Sequence, residues 1–392
     1  MLPEILNIDK ECTGCSACAS ICAKKAITIG YNDEFFYRPQ VNNDICVNCG
    51  LCEKVCPVLS PKQEKVSLDF TSYMIKADDP VLVKKSSSGG AFSLLADIVM
   101  QEGGVVYGAR YNFEKERLEH CSTDECSIEE LRKSKYIESY IGDTYIKIRK
   151  NLEEGRKVLF CGTPCQNAGL ASYLKTRRTD TRNLITIEFI CHGVPSNKFF
   201  TEYKHYIEKK YGAKLTHVNF RPKNLGWREP NFQLTFANDK IIDINYKQSY
   251  YYINFQKNSC LNRSCYTCTR ISEGNADFTI GDFWGLKDYR PEIDEKEGVS
   301  IVMARTEKAM ELIKRIRDCT IEKVPLSAVK YAFNNHRNTS ENKALRETFM
   351  SDVKKYGYMR TAKKHNWKEV YTFTLKARVK TILRKLGLWG RK

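Results

Sequence analysis

Apolar positions along the chain fall into short blocks whose spacing changes character several times. In AFSLLADIVMQ, Ala91–Gln101, apolar side chains recur every three to four residues and predict a helix, while residues 105–109, VVYGA, run as a short buried strand. The polar stretch 86–90, SSSGG, precedes that helix as a loop of small residues. Two later segments share one form. Residues 157–160 predict a strand, then a loop and a helix from about Gln166; residues 184–190 predict a strand, then a loop and a helix capped by Ser196. HVNFRPKNLGWREPNFQLTFANDKIIDINY predicts a hairpin that turns near Asn238 and Asp239. Strands and helices in this alternation predict a mixed α/β body.

The C-terminal pattern is different. Leu375, Val379, Ile382, Leu383, Leu386 and Trp389 stand at near-helical spacing, with Lys376, Arg378, Lys380, Arg384 and Lys385 between them. A basic amphipathic helix of this kind predicts either a membrane-surface anchor or a helix packed back on the body. Charge sharpens the picture. The 392 residues carry a formal net charge of +17, yet residues 1–60 hold five Lys/Arg against seven Asp/Glu, and residues 354–392 hold thirteen Lys/Arg against Glu369 alone. The excess is a tail property, and with few aromatics among the charges nucleic acid is not the expected partner.

Seventeen cysteines change the expectation most. Cys12, Cys15, Cys18 and Cys22 stand at C-x2-C-x2-C-x3-C, and Cys46, Cys49, Cys52 and Cys56 repeat it. Three thiolates from one tight loop converge on a cubic iron–sulfur cluster, and in two-cluster ferredoxins the fourth cysteine of each run ligates the other cluster. The expected sets are Cys12, Cys15, Cys18 and Cys56 for cluster one and Cys46, Cys49, Cys52 and Cys22 for cluster two. Pro57 matches the usual ending of such a run, and Ala23 departs from it. Zinc knuckles are the rival, but eight cysteines without one histidine suit them poorly. Further on, Cys260, Cys265 and Cys268 stand at C-x4-C-x2-C, spacing that suits a third cluster completed by Cys191 or Cys165, with zinc again the rival.

Cys161, Cys165, Cys191 and His192 fall just past predicted strands, where α/β sheets bind ligands, and Cys165 would open a helix, which favours thiolate. The 86–90 loop would offer backbone N–H groups to a phosphate-bearing cofactor. Asp277 and Asp282 flank the strand-like FTIG, and neither a G-x-G-x-x-G fingerprint nor a Walker A loop occurs. The N-terminus lacks a basic n-region and an apolar h-region, and no run of eighteen apolar residues occurs, so a cytoplasmic location is expected.

SSSGGAFS, SKY at 134–136, FCGTPCQ, CHGVPS, CYTC and ADFTIGDFWG, in this order behind the cysteine-rich head, resemble the coenzyme F420 hydrogenase/dehydrogenase beta-subunit family. The resemblance implies an α+β or α/β fold: a bacterial-type two-[4Fe-4S] ferredoxin domain over residues 1–60, a linker over 61–70, the family's N-terminal domain over 71–155, its C-terminal domain over 156–330, and the basic helical tail over 331–392. It implies an iron–sulfur flavoprotein oxidoreductase. FAD would be held by Ser87, Ser88, Gly89, Gly90, Ala91, Lys135, Gly162, Thr163, Pro164, Cys165 and Gln166. The third [4Fe-4S] cluster would use Cys265 and Cys268, with Cys260, Cys191 and Cys165 competing for the remaining positions. His192, Cys165 and Cys191 are expected near the flavin, His192 as a proton donor. Reduced ferredoxin or a similar low-potential donor would supply electrons for an organic substrate, lipid-linked or glycan-related, and the basic tail would bring the protein to the inner face of a membrane. Two alternatives stand beside this: a beta subunit of a larger complex acting on coenzyme F420, and an electron-transfer module with no substrate of its own.

Overall fold

A computed structural model describes residues 3–60, 70–269, 274, 276–329 and 342–386. The predicted linker, 61–70, and residues 330–341 at the start of the predicted tail fall almost wholly outside the described residues, as does Trp389.

The head pairs β1 (Ile27–Tyr31) with β2 (Tyr37–Val41) antiparallel, and the two cysteine runs lead into the short helices Ala17–Ile21 and Leu51–Lys54. Ser16 and Gly50 cap these helices in the left-handed region, at φ 63° and 70°. Each run thus bends sharply between its second and third cysteines, which is how a loop this short turns its sulfurs inward.

The body is built on one eight-stranded mixed sheet. It uses β3 (Thr71–Ala77), β4 (Val105–Asn112), β5 (Arg117–Ser122), β6 (Val158–Gly162) and β7 (Leu184–Phe189). A separate antiparallel sheet of β8 (Leu215–Asn219), β9 (Asn231–Phe236) and β10 (Ile241–Asn245) intervenes, before β11 (Phe278–Asp282), β12 (Ser300–Ala304) and β13 (Cys319–Val324) return to the large sheet. Its order is β13-β3-β12-β11-β7-β6-β4-β5. The neighbours β4, β6, β7 and β11 run parallel, and the outer pairings are antiparallel. Strands from both sides of residue 155 therefore share this sheet. Central strands read as continuous apolar runs because both faces are covered. VLF of β6 and SIVMA of β12 are buried throughout.

The helix Ala91–Gln101 begins and ends where its periodicity places it. Gly89, just before it, lies against β3: a Cβ there would stand 2.2 Å from the Ile75 carbonyl oxygen and 2.7 Å from the Ser300 amide. Both obstacles are backbone, so Gly89→Ala is expected to destabilise by about 1–3 kcal/mol, measurable as a lowered denaturant midpoint. Ser196 caps Asn197–Tyr211 by accepting from the Lys198 amide, and Thr163 caps Pro164–Thr176 in a reciprocal box with Gln166. The 231–245 hairpin turns at the expected residues, with Asp239 at φ 61°.

Two expectations are corrected. Asp282 does not flank β11 but ends it and pairs with Arg221, while Asp277 ties β7 to the 307–315 helix region through Thr186 and Thr306. Cys121 and Cys126 form a disulfide, a pairing that the reading of the clustered thiols as metal ligands does not include.

The tail holds two helices, Lys343–Tyr356 and Tyr358–Lys385. Both pack on the body at first. Arg346, Phe349, Met350, Tyr358 and Ala362 are buried, and Tyr358 stacks on Phe199 with ring centroids 4.7 Å apart.

Candidate functional site

The head cysteines form two unequal groups. Cys12, Cys15, Cys18 and Cys56 border one cavity, otherwise lined by apolar residues such as Ile5, Ile29 and Pro39. Burial above all, with neighbouring Cys12 and Cys56 adding to it, pushes the Cys15 thiol up to about 12. Cys18 is raised for the same reasons, burial first and then Cys15, Cys12 and Cys56. Cys12, Cys15 and Cys18, all raised by burial and by neighbouring cysteines, become thiolates only around compensating positive charge, which is what a metal cluster supplies. This donor set fits the group that its spacing predicts. Among the described residues no three His, Cys, Asp or Glu side chains are set for a single metal ion.

The second group lies nearer solvent. Cys49 is exposed, Cys46 and Cys22 are half-buried, and Cys52 is buried. Cys22 accepts a hydrogen bond from the Ala26 amide at 3.3 Å, the kind of contact that orients a ligand sulfur. Ile45 and Val47, beside Cys46, are exposed as well.

A third set of thiols gathers at the carboxyl ends of β6 and β7, the edge where parallel sheets open toward ligands. Burial raises the Cys191 thiol well above its ordinary value, and Cys265, Cys165 and Cys268 add to that effect. The loop after β7 reaches the 260–268 segment through Pro195 paired with Leu261 and through the Asn262 amide donating to Val194 O at 2.8 Å. Gly193 allows this approach. Its φ is 116°, and a Cβ there would lie 2.8 Å from the Leu261 side chain and 3.2 Å from Cβ of Cys265. The set is joined to the head by the Pro164–Thr176 helix. Cys165 also contributes to the raised Cys15 thiol, and a Cβ on Gly169, one turn further along, would stand 3.0 Å from the Cys15 sulfur. At Gly169 the helix therefore meets Cys15 with no side chain of its own between them.

Cys260 sits in the aromatic core against which Cys265 also packs. It is wholly buried, its thiol raised by burial and lowered by Arg346 and Tyr358, in the core beneath the C-terminal helices. Its spacing to Cys265 suggests a ligand, and its side chain belongs to this core.

The residues expected to meet a phosphate converge from distant segments. Ser87 Oγ accepts from the Ser134 amide at 2.7 Å, joining SSSGG to SKY. Ser88 Oγ donates to Val299 O, and the Gly89 amide donates to Ser300 Oγ. Lys135 donates to the carbonyls of Arg132 and Lys133, and burial brings its ammonium down to about 7 despite neighbouring Cys161. Sequence reading missed Lys223, whose ammonium donates to Val83 O and Ser88 O at 2.6 and 2.7 Å and is also brought down to about 7 by burial. Neither lysine forms an ion pair among the described residues. Lys133 stands close enough to oppose the charge of both, so the loop is ringed by positive charge that a phosphate-bearing group would satisfy. No local motif marks Lys223, because the chain returns to the loop 135 residues after Ser88.

Behind β6, His120 is held neutral, burial bringing it down to about 4, with Nδ1 3.1 Å from Ser139 Oγ. Gln166 Nε2 donates to the same hydroxyl at 2.8 Å. Thr163 Oγ1 lies 3.0 Å from the Cys165 sulfur. His192, next to Cys191, is half-buried, with Nε2 2.5 Å from Asn258 Oδ1 and its ring edge-on to Phe255. Burial lowers its pKa, and Asn258 partly restores it.

Comparisons with known proteins cover both the head and the body of the chain. Residues 155–328 match the family described as the C terminus of the coenzyme F420 hydrogenase/dehydrogenase beta subunit, and residues 11–59 match the 4Fe-4S dicluster domain. A curated relative, one of the subunits of the F(420)H(2) dehydrogenase of Methanosarcina mazei, is 23% identical over 221 residues, which cover 52% of this chain. The match spans 61% of that relative's own length. A chain of the F420-reducing [NiFe] hydrogenase complex from Methanosarcina barkeri aligns at a TM-score of 0.44 and 17% identity, covering 74% of this chain and 94% of that one. The chain thus carries, over residues 155–328, a domain similar to the C terminus of the coenzyme F420 hydrogenase/dehydrogenase beta subunit, behind a 4Fe-4S dicluster domain at residues 11–59.

Proposed function

We propose that this chain is an FAD-dependent oxidoreductase that connects one-electron carriers to a two-electron organic substrate through three [4Fe-4S] clusters. The observation that carries the reading is the gathering of Cys165, Cys191, Cys265 and Cys268 beside the phosphate-site loops, one helix away from Cys15. In this reading Cys12, Cys15, Cys18 and Cys56 hold the first cluster, Cys46, Cys49, Cys52 and Cys22 the second, and the four later cysteines the third. Ser87 to Ala91, Lys135 and Gly162 to Gln166 hold FAD, with Lys133 and Lys223 supplying further positive charge near its phosphates. When bound, such groups supply single-electron transfer and its exchange for two-electron chemistry.

The protein's own residues have definite tasks. The exposed edge at Cys49 admits a donor such as reduced ferredoxin. The Pro164–Thr176 helix keeps Cys165 and Cys15 in one packed layer. His192, neutral and held by Asn258, keeps a proton close to the Cys191 set. His192→Ala is expected to slow turnover by about 100-fold while leaving iron content and cluster absorbance unchanged; bleached clusters would move His192 to a structural role.

The substrate we infer is organic, lipid-linked or glycan-related, with the protein in the cytoplasm and peripheral on the inner face of the membrane. A second reading draws on the matched family and on the Methanosarcina mazei relative, whose names tie them to F420: this chain would then be the beta subunit of a larger complex acting on that coenzyme. Turnover assays with reduced ferredoxin and with reduced F420 separate the two. Turnover with reduced F420 and none with reduced ferredoxin would favour the second.

A further inference from the structure

The described part of the C-terminal helix carries two faces with different environments. On one side Tyr358, Ala362, Asn366 and Val370 are buried against the body, and Asn366 bonds to Asn254 at 3.0 Å and accepts from Lys257. On the other, Trp367, Tyr371, Leu375, Val379, Ile382 and Leu386 are between 47 and 63% exposed. Steps of four, four, four, three and four keep these six on one side of the helix. Lys368 and Lys376 are exposed beside them.

We propose that this face is a docking surface for an anionic lipid bilayer, along which the distal half of the helix lies. Charge selects the occupant. With thirteen Lys/Arg and one acid in residues 354–392, two copies of the helix face to face would set like charge against like charge. A nucleic acid would satisfy the charge but leave Leu375, Val379 and Ile382 in water. An anionic bilayer answers both needs: apolar side chains enter the acyl boundary, lysines extend to the headgroups, and Trp367 and Tyr371 sit at the interface. No described helix is long and apolar enough to cross a membrane, so the contact is with the surface. This sharpens the membrane element of the proposed function and rests on none of its redox chemistry.

The test is sedimentation of the full chain, purified without oxygen, with vesicles of phosphatidylcholine alone or with one-third phosphatidylglycerol. Wild type is expected to pellet with the anionic vesicles at least about tenfold more strongly than with the neutral ones, and less at raised salt. Leu375→Asp with Ile382→Asp should abolish binding, and Lys368→Glu with Lys376→Glu should weaken it about tenfold or more. All four side chains are exposed, and unchanged visible cluster absorbance and helical circular dichroism verify the fold. Wild type remaining in solution with anionic vesicles, or binding them equally well after the double Asp substitution, would overturn the proposal. So would a dimer that the Asp substitutions dissociate without any vesicle binding, or duplex DNA bound in place of vesicles. Vesicle binding is read without turnover, so failure of the flavin reading leaves this result intact, and the converse holds.

Discussion

Cys191→Ala should lower the iron content from about twelve to about eight atoms per chain and disconnect the head from the substrate end, because one missing thiolate opens a four-cysteine cluster. Its neighbours argue for a loss this large. Cys191 is half-buried with Cys165, Cys265 and Cys268 about it, and the loop that presents it is bridged to the 260–268 segment by Pro195 and Asn262. Head clusters should still be reduced by a low-potential donor, while substrate turnover falls below detection. Cys165→Ala should behave alike. Cys260→Ala is the contrasting control, removing a buried thiol from the aromatic core at a cost of about 1 kcal/mol and leaving all the iron in place. Iron and sulfide analysis with stopped-flow reduction distinguishes these outcomes; full iron content in Cys191→Ala would remove it from the ligand set.

Arg346→Met should destabilise the protein by about 3–5 kcal/mol, the cost typical of breaking a buried ion pair from one side. Arg346 is wholly buried and forks onto both carboxylate oxygens of Glu34, in the head, while its Nε donates to Leu261 O at 2.9 Å. One guanidinium therefore ties together the cluster-bearing head, the loop that carries Cys265, and the C-terminal helices. Arg263, which pairs with Glu34 at 2.9 Å from a more exposed position, would offset part of the loss. The same contact sets an acid limit. Burial pushes the Glu34 carboxyl up, but Arg346 and Arg263 outweigh it and hold the group at about 2. A carboxyl depressed in the folded state contributes stability above its unfolded value, near 4.3, and loses it as pH falls toward about 2. Wild type should lose stability across that window, and Arg346→Met should show a shallower slope. Urea unfolding at several pH values measures both, and unchanged stability in Arg346→Met would show that the pair is dispensable.

Local chemistry was legible in the sequence where neighbours in the chain decide it. Periodicity placed Ala91–Gln101 end for end, Ser196 and Thr163 cap the helices that their position implied, and the cysteine spacing located a group bordering one cavity. What could not be read depends on contacts between distant segments. Arg346, 86 residues after Cys260, lowers its buried thiol. Lys223 reaches Ser88 by way of a separate three-stranded sheet. The strand order carries β3 between β12 and β13, so the two sides of residue 155 share one sheet that no pattern of apolar positions announces. The tail is half of each expectation: it packs on the body through Tyr358 and Ala362 and exposes an apolar face beyond them.

The most direct test of the account is quantification of iron, acid-labile sulfide and flavin per chain after anaerobic purification. Three cubic clusters predict about twelve irons and twelve sulfides, accompanied by one FAD. About eight irons and no flavin would contradict it, leaving a two-cluster electron carrier whose later cysteines hold no cluster.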